Sequence, residues 1–183
     1  MNSSVNSKQT AKPKLSIQEM AVFAMFGAVM YCSKLVMAAL PNIHLLGMFT
    51  MVLTLVYRKK ALVPLYVYVM LEGLFGGFSA WWLPYLYLWT VLWGVTMLLP
   101  RNLPKKAAFV VYPIVCALHG LCFGLLYAPA QALMFGLNFE QAKAWWLAGL
   151  PFDSLHAVGN LFSGLLIMPL SDCLQKLQSK HTY

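Results

Sequence analysis

Val52-Leu-Thr-Leu-Val-Tyr57-Arg58-Lys59-Lys60-Ala61-Leu-Val-Pro64-Leu-Tyr66-Val-Tyr-Val69 decides how this chain is read. Three consecutive cations stand between two apolar runs, and neither run carries a charge. A surface helix of a soluble protein would interleave polar positions to make a wet face. These runs have no such face. Lipid is the solvent that suits them, and the cations mark where the chain leaves it.

The same punctuation recurs outward from this stretch. Lys8, Lys12 and Lys14 precede the first apolar run, Arg101, Lys105 and Lys106 separate the fourth from the fifth, and Lys176 and Lys180 follow the last. Of the 13 basic residues, only Lys34 and Lys143 fall on the other side of a six-crossing pattern. Lys and Arg close to span ends are retained on the cytoplasmic side. The spacing therefore predicts an all-α fold, a polytopic six-transmembrane-helix bundle with both termini cytosolic.

Composition agrees, with 61% hydrophobic and 10% charged residues, against about half and a quarter in soluble domains. The net charge of +8 does not point to nucleic acid, because the cations sit in short clusters beside apolar runs and not along a face interleaved with aromatics. The four cysteines form no C-x-x-C pair and read as small apolar residues, not as a metal site or disulfide framework. The first apolar run is long enough to span and has no small-x-small cleavage site after it, so it reads as a span and not a signal peptide.

Residues 1–15 form a predicted disordered cytosolic tail, residues 16–172 a single membrane domain, and residues 173–183 a second cytosolic tail. Ser16-Ile-Gln-Glu19 is a capping-box pattern that opens span 1 over 17–40, which Pro41-Asn42 ends. Span 2 (43–57) is short, span 3 covers 61–78, and span 4 ends near Leu99. Span 5 starts near Ala107 and continues toward Gly136, too long for one crossing, so Pro129 is expected to kink it or break it before a short external helix. Residues 138–149 read as an external interfacial segment, and span 6 covers 150–170.

Polar residues inside such spans face protein or a water-filled cavity. Asp153, His156 and Asn160 are spaced by three and four, which sets them on one helical stripe. This stripe reads as a ligand-binding face, or as a helix cap at Asp153 with interhelical hydrogen bonds beyond it. Glu72 is placed to bind substrate, to pair with Lys34 or to bond a neighbouring helix. His119 is placed to touch ligand or a facing backbone. His44 lies in the first external loop, and Tyr127 and Gln131 share a face near the outer end of span 5. Of the aromatic run Trp81–Trp89, most residues read as interface anchors; Trp82 and Tyr85 stand as the stacking candidates for a flat ligand. Ala21, Ala24 and Ala28 give span 1 a small-residue surface suited to a partner helix or to packing within the bundle. No catalytic motif and no paired acid cluster suited to a metal is present.

Six spans, cytosolic termini, 183 residues and Ala24-x-x-x-Ala28 together resemble the S component of an energy-coupling factor (ECF) transporter. Pro151-Phe152-Asp153-Ser-Leu-His156-Ala-Val-Gly159-Asn160 resembles the sixth-helix segment of such proteins, and His44-Leu-Leu-Gly47-Met-Phe-Thr resembles their first external loop and second helix. The resemblance covers residues 16–172. It implies a subunit of a prokaryotic plasma membrane that captures a vitamin or related micronutrient from outside. It also implies docking through Ala21, Ala24 and Ala28 onto a transmembrane coupling subunit with two ATPases. No cofactor of its own is implied; the partner subunits use ATP. The aromatic mouth with Glu72, Asp153, two histidines and Asn160 suits a small polar heteroaromatic such as hydroxymethylpyrimidine, thiamine or a pyridoxine-like vitamin. Lys34 keeps a carboxylate such as pantothenate or niacin in view. The competing expectations are an autonomous secondary transporter, which would carry solute without an ATPase, and a membrane-embedded enzyme using His119, His156 and Asp153.

Overall fold

The computed structural model describes residues 15–40 and 42–180. The predicted tail as far as residue 14, the helix stop at Pro41 and residues 181–183 lie outside the described residues. All regular structure among the described residues is helical: α1 (Ile17–Val36), α2 (Leu46–Tyr57), α3 (Leu62–Gly76), α4 (Tyr85–Leu98), α5 (Lys105–Leu121), α6 (Phe123–Phe135), α7 (Phe139–Gly164) and α8 (Ile167–Lys180), with single 3-10 turns after α1 and α2. Two segments are long and apolar enough to cross a membrane, Ile17–Ala39 and Lys105–Phe135. A third qualifies if α7 and α8, which meet at a 46° bend, form one span.

The capping box at Ser16 and Glu19 is formed, each side chain bonding the other's backbone amide at 3.1 Å. Two apolar clusters make the core. One joins Met30, Leu53, Tyr68 and Trp89, the other Met51, Leu92, Tyr112 and Ile167. α2 contributes to both, and nearly every residue from Leu46 to Thr54 is buried. That explains its length: at ~1.5 Å per residue its 12 residues rise only ~18 Å, and other helices enclose it.

α7 shows the distribution of polarity most clearly. Asp153, His156 and Asn160 are buried, while Phe152, Leu155, Val158 and Phe162 on its other side are exposed. A water-soluble helix has the reverse arrangement.

The basic connections gather at one end of the helices. Lys60 pairs with Glu19 at 2.5 Å, the Arg58 guanidinium donates to the Met97 carbonyl at 3.0 Å, and Lys105 faces Asp172 at 3.5 Å. The other end carries Lys34, Trp81, Tyr85 and Tyr127, with Trp145 stacked on Tyr127.

Three expected boundaries differ. The long fifth segment breaks at Cys122, not at Pro129, which lies inside α6. The break is stabilised from outside: the Gly124 amide is taken by the Asp153 carboxylate. The expected external segment and the sixth span as far as Gly164 are one helix, α7, which opens at Asn138 with its own capping box to Gln141, and the remainder of that span passes the 46° bend into α8. The expected tail from residue 173 is helical to Lys180, because Ile167, Ser171 and Leu174 form an inward stripe on α8.

Candidate functional site

Polar and aromatic side chains from six helices and two connections converge near the end away from the basic connections. α3 places Glu72 one turn after Tyr68, both buried. Lys34, on the last turn of α1, forms an ion pair with Glu72. Its ammonium also sits 5.7 Å from the ring centres of both Trp81 and Tyr85, a cation–π geometry. The Lys34 pair expected for Glu72 is formed, through Oε2. A cavity of about 450 Å³ opens beside this pair, lined by Tyr31, Lys34, Glu72, Phe75 and Trp81. Ligand clefts commonly hold about 300–1,000 Å³.

Trp89 links this pair to the histidines. It is 1% exposed, and its ring lies 6.1 Å from Tyr85, 5.7 Å from His44 and 5.7 Å from His119. His156 lies 5.0 Å from His44 and 4.8 Å from Phe123. His44, His119 and His156, dispersed in sequence, are therefore drawn into one aromatic compartment.

Several buried polar atoms here have no hydrogen-bond partner: Nδ1 of all three histidines, Trp89 Nε1 and Glu72 Oε1. The Tyr68 hydroxyl also lacks a well-formed bond, although it lies within electrostatic reach of Glu72. His119 Nε2 faces the Leu88 carbonyl at 3.0 Å. A carbonyl only accepts, so Nε2 carries the proton and Nδ1 is left as a bare acceptor. Unpaired polar groups in an enclosed site each cost about 1–3 kcal/mol, and together they mark a place where a polar molecule would supply the missing partners.

The other two residues of the predicted stripe bond neighbouring helices. Both Asp153 oxygens accept from the Gly124 amide, at 3.0 and 3.1 Å. Asp153 does cap a helix, but the helix is α6 and not its own. Asn160 Nδ2 donates to the Cys116 carbonyl at 3.1 Å. Gly120 lets α5 and α7 approach: an added Cβ would lie 2.9 Å from the His156 backbone oxygen.

Trp82 is turned to structure, its indole donating to the Val69 carbonyl at 2.7 Å. Tyr85 stays with Trp81 and Trp89 in the aromatic group. Tyr127 donates to the Trp81 carbonyl at 2.9 Å and holds the α3–α4 connection. Gln131 is half-buried one turn further along α6, and its side chain makes no hydrogen bond among the described residues. Trp89, Tyr68 and Phe123 were not singled out from the sequence as ligand-facing. The signal for two of them was present, since Tyr68–Glu72 and Tyr85–Trp89 each repeat at four residues.

Ala21, Ala24 and Ala28 are exposed along one side of α1, while Phe23, Gly27 and Met30 are buried. Close packing on α3 is left to Gly27, where an added Cβ would meet Val67 at 2.5 Å. Among the described residues no group of three or more His, Cys, Asp or Glu is arranged to hold a metal.

No family model matches the chain, and no curated protein and no solved structure matches it.

Proposed function

We propose that this chain is the substrate-binding S component of an ECF-type importer, a six-span subunit of a prokaryotic plasma membrane with cytosolic termini. It captures a small, planar, polar heteroaromatic and hands it inward with a coupling subunit and ATPases. One observation carries the reading. Unpaired donors and acceptors from α3, α4, α5, α7 and the loop before α2 meet around Trp89, while the outside of the chain is apolar.

The chemistry narrows the ligand. The indole N–H of Trp89 asks for an acceptor, and His119 Nδ1 and Glu72 Oε1 ask for donors. An aminopyrimidine such as hydroxymethylpyrimidine, or a hydroxypyridine of the pyridoxine type, offers both kinds of group on a ring that can stack. A carboxylate ligand is disfavoured, because Lys34 is already paired with Glu72. The exposed alanine side of α1 provides the coupling surface.

Mass spectrometry of small molecules released from the detergent-purified protein tests the proposal. One heteroaromatic compound bound in stoichiometric amount, without ATP, is the expected result. Its affinity should fall roughly tenfold or more in Glu72→Gln and in His156→Ala, with both variants still folded. Finding no retained compound, together with no saturable binding of any vitamin tried, would overturn the assignment.

A further inference from the structure

The basic end holds a second cavity, of about 360 Å³, remote from the aromatic compartment. Arg58 enters it from the α2–α3 connection, Arg101 from the α4–α5 connection and Lys105 from the first turn of α5. One carboxylate, Asp172 on α8, opposes these three cations, and it lies 3.5 Å from Lys105. The lining is therefore left with excess positive charge.

Three further features point the same way. Ser171, only 5% exposed, lines the cavity with its hydroxyl unpartnered, although a helical serine can bond the carbonyl one turn back. Arg58 has φ +54°, uncommon for a residue with a side chain. Its guanidinium is fixed on the Met97 carbonyl and its own carbonyl accepts from the Trp93 indole at 3.1 Å, yet Nε stays buried without a partner. The N-terminus of α5 also borders the cavity, through Lys105 and Ala108. Its cap residue is Pro104 and no side chain bonds its first amides, so the positive end of the helix dipole is uncompensated.

Each unpaired group is a donor or a positive charge. We infer that this cavity binds a phosphate-bearing anion, whose acceptor oxygens match a guanidinium, an ammonium, a hydroxyl and a helix N-terminus together. Leu103 and Met168 add an apolar wall next to the cations, which suits a phosphate carrying hydrocarbon. A lipid headgroup and free phosphate share this chemistry, and the binding experiment separates them.

The full chain in neutral detergent is titrated with phosphatidylglycerol, phosphatidylcholine and inorganic phosphate, and binding is followed by native mass spectrometry and thermal unfolding. Saturable binding of phosphatidylglycerol in preference to phosphatidylcholine is expected. Saturation by phosphatidylglycerol alone identifies a headgroup site; saturation by inorganic phosphate as well identifies a site for the free anion. Arg101→Glu, a change at an exposed rim position, should weaken binding roughly tenfold or more, and Ser171→Ala should weaken it by less. Lys176→Glu, an exposed change on α8 outside the cavity, should leave it unaltered. Absence of saturable binding by either anionic probe would overturn the site. So would equal binding of the two lipids, or a loss in Lys176→Glu as large as in Arg101→Glu.

Discussion

Two carboxylates, Glu72 and Asp153, are enclosed by helices, and each is held differently. Glu72 is paired with Lys34, while Asp153 has no cation partner among the described residues and leans on a single backbone amide. Lys34→Met should therefore leave a buried charge behind and destabilise the protein by about 2 kcal/mol. That is less than the loss in fully buried pairs, because a third of Lys34 is exposed. Asp153→Ala should cost about 1–3 kcal/mol by orphaning the Gly124 amide, and Asp153→Asn should recover most of it because an amide oxygen still accepts. Thermal unfolding in detergent measures both. If Asp153 instead served the ligand, its variants would lose affinity without losing stability. The Lys34–Glu72 pair was legible in sequence as one of three options, since a lone carboxylate and a lone lysine in apolar runs need each other. The partner of Asp153 was not legible, because a cap can be assigned only when the start of its helix is known, and here that start is on another segment. Trp89 was hidden for a related reason: a buried aromatic and an interface anchor are the same residue in a string of letters.

Along α1, two neighbouring small residues are expected to respond in opposite ways. Ala24 is exposed and Gly27 is buried against Val67 and the Pro64 carbonyl. Ala24→Phe should leave the unfolding temperature unchanged and prevent co-purification with a coupling subunit. Gly27→Leu should drive a side chain into α3 and destabilise the protein by about 1–3 kcal/mol or more. Normal complex yield from Ala24→Phe would remove α1 as the docking surface. Element existence was readable from apolar runs and charge punctuation, and the starts and ends of α1, α3 and α4 follow it closely. The failures came where a tertiary contact replaced a local rule. Pro129 looked like the breaker of the fifth segment, yet it lies inside α6: a proline removes one amide and crowds the carbonyl one turn back, and neighbouring helices can offset that cost. The Gly124–Asp153 contact, invisible to local propensity, sets the break instead. α7 likewise contains a proline, Pro151, in its interior.

At the scale of the whole molecule, charge sorting has a consequence for topology. α1 leaves the basic end, where Glu19 meets Lys60, and reaches the aromatic end, where Lys34 meets Glu72. α8 returns to the basic end, where Asp172 faces Lys105. The described helices thus begin and finish at one end, and on the proposed reading the retention of Lys and Arg would make that side the cytosol. Cys173 is exposed on α8, close to the basic end, and Ser79 is exposed in the α3–α4 connection at the other. In a background with Cys32, Cys116 and Cys122 replaced by serine, a membrane-impermeant maleimide applied to intact cells should label Ser79→Cys and spare Cys173. Permeabilising the cells should then expose Cys173 to the reagent. Labelling of Cys173 from outside would invert the orientation, place the aromatic compartment on the cytosolic side, and leave an importer with no external site from which to load.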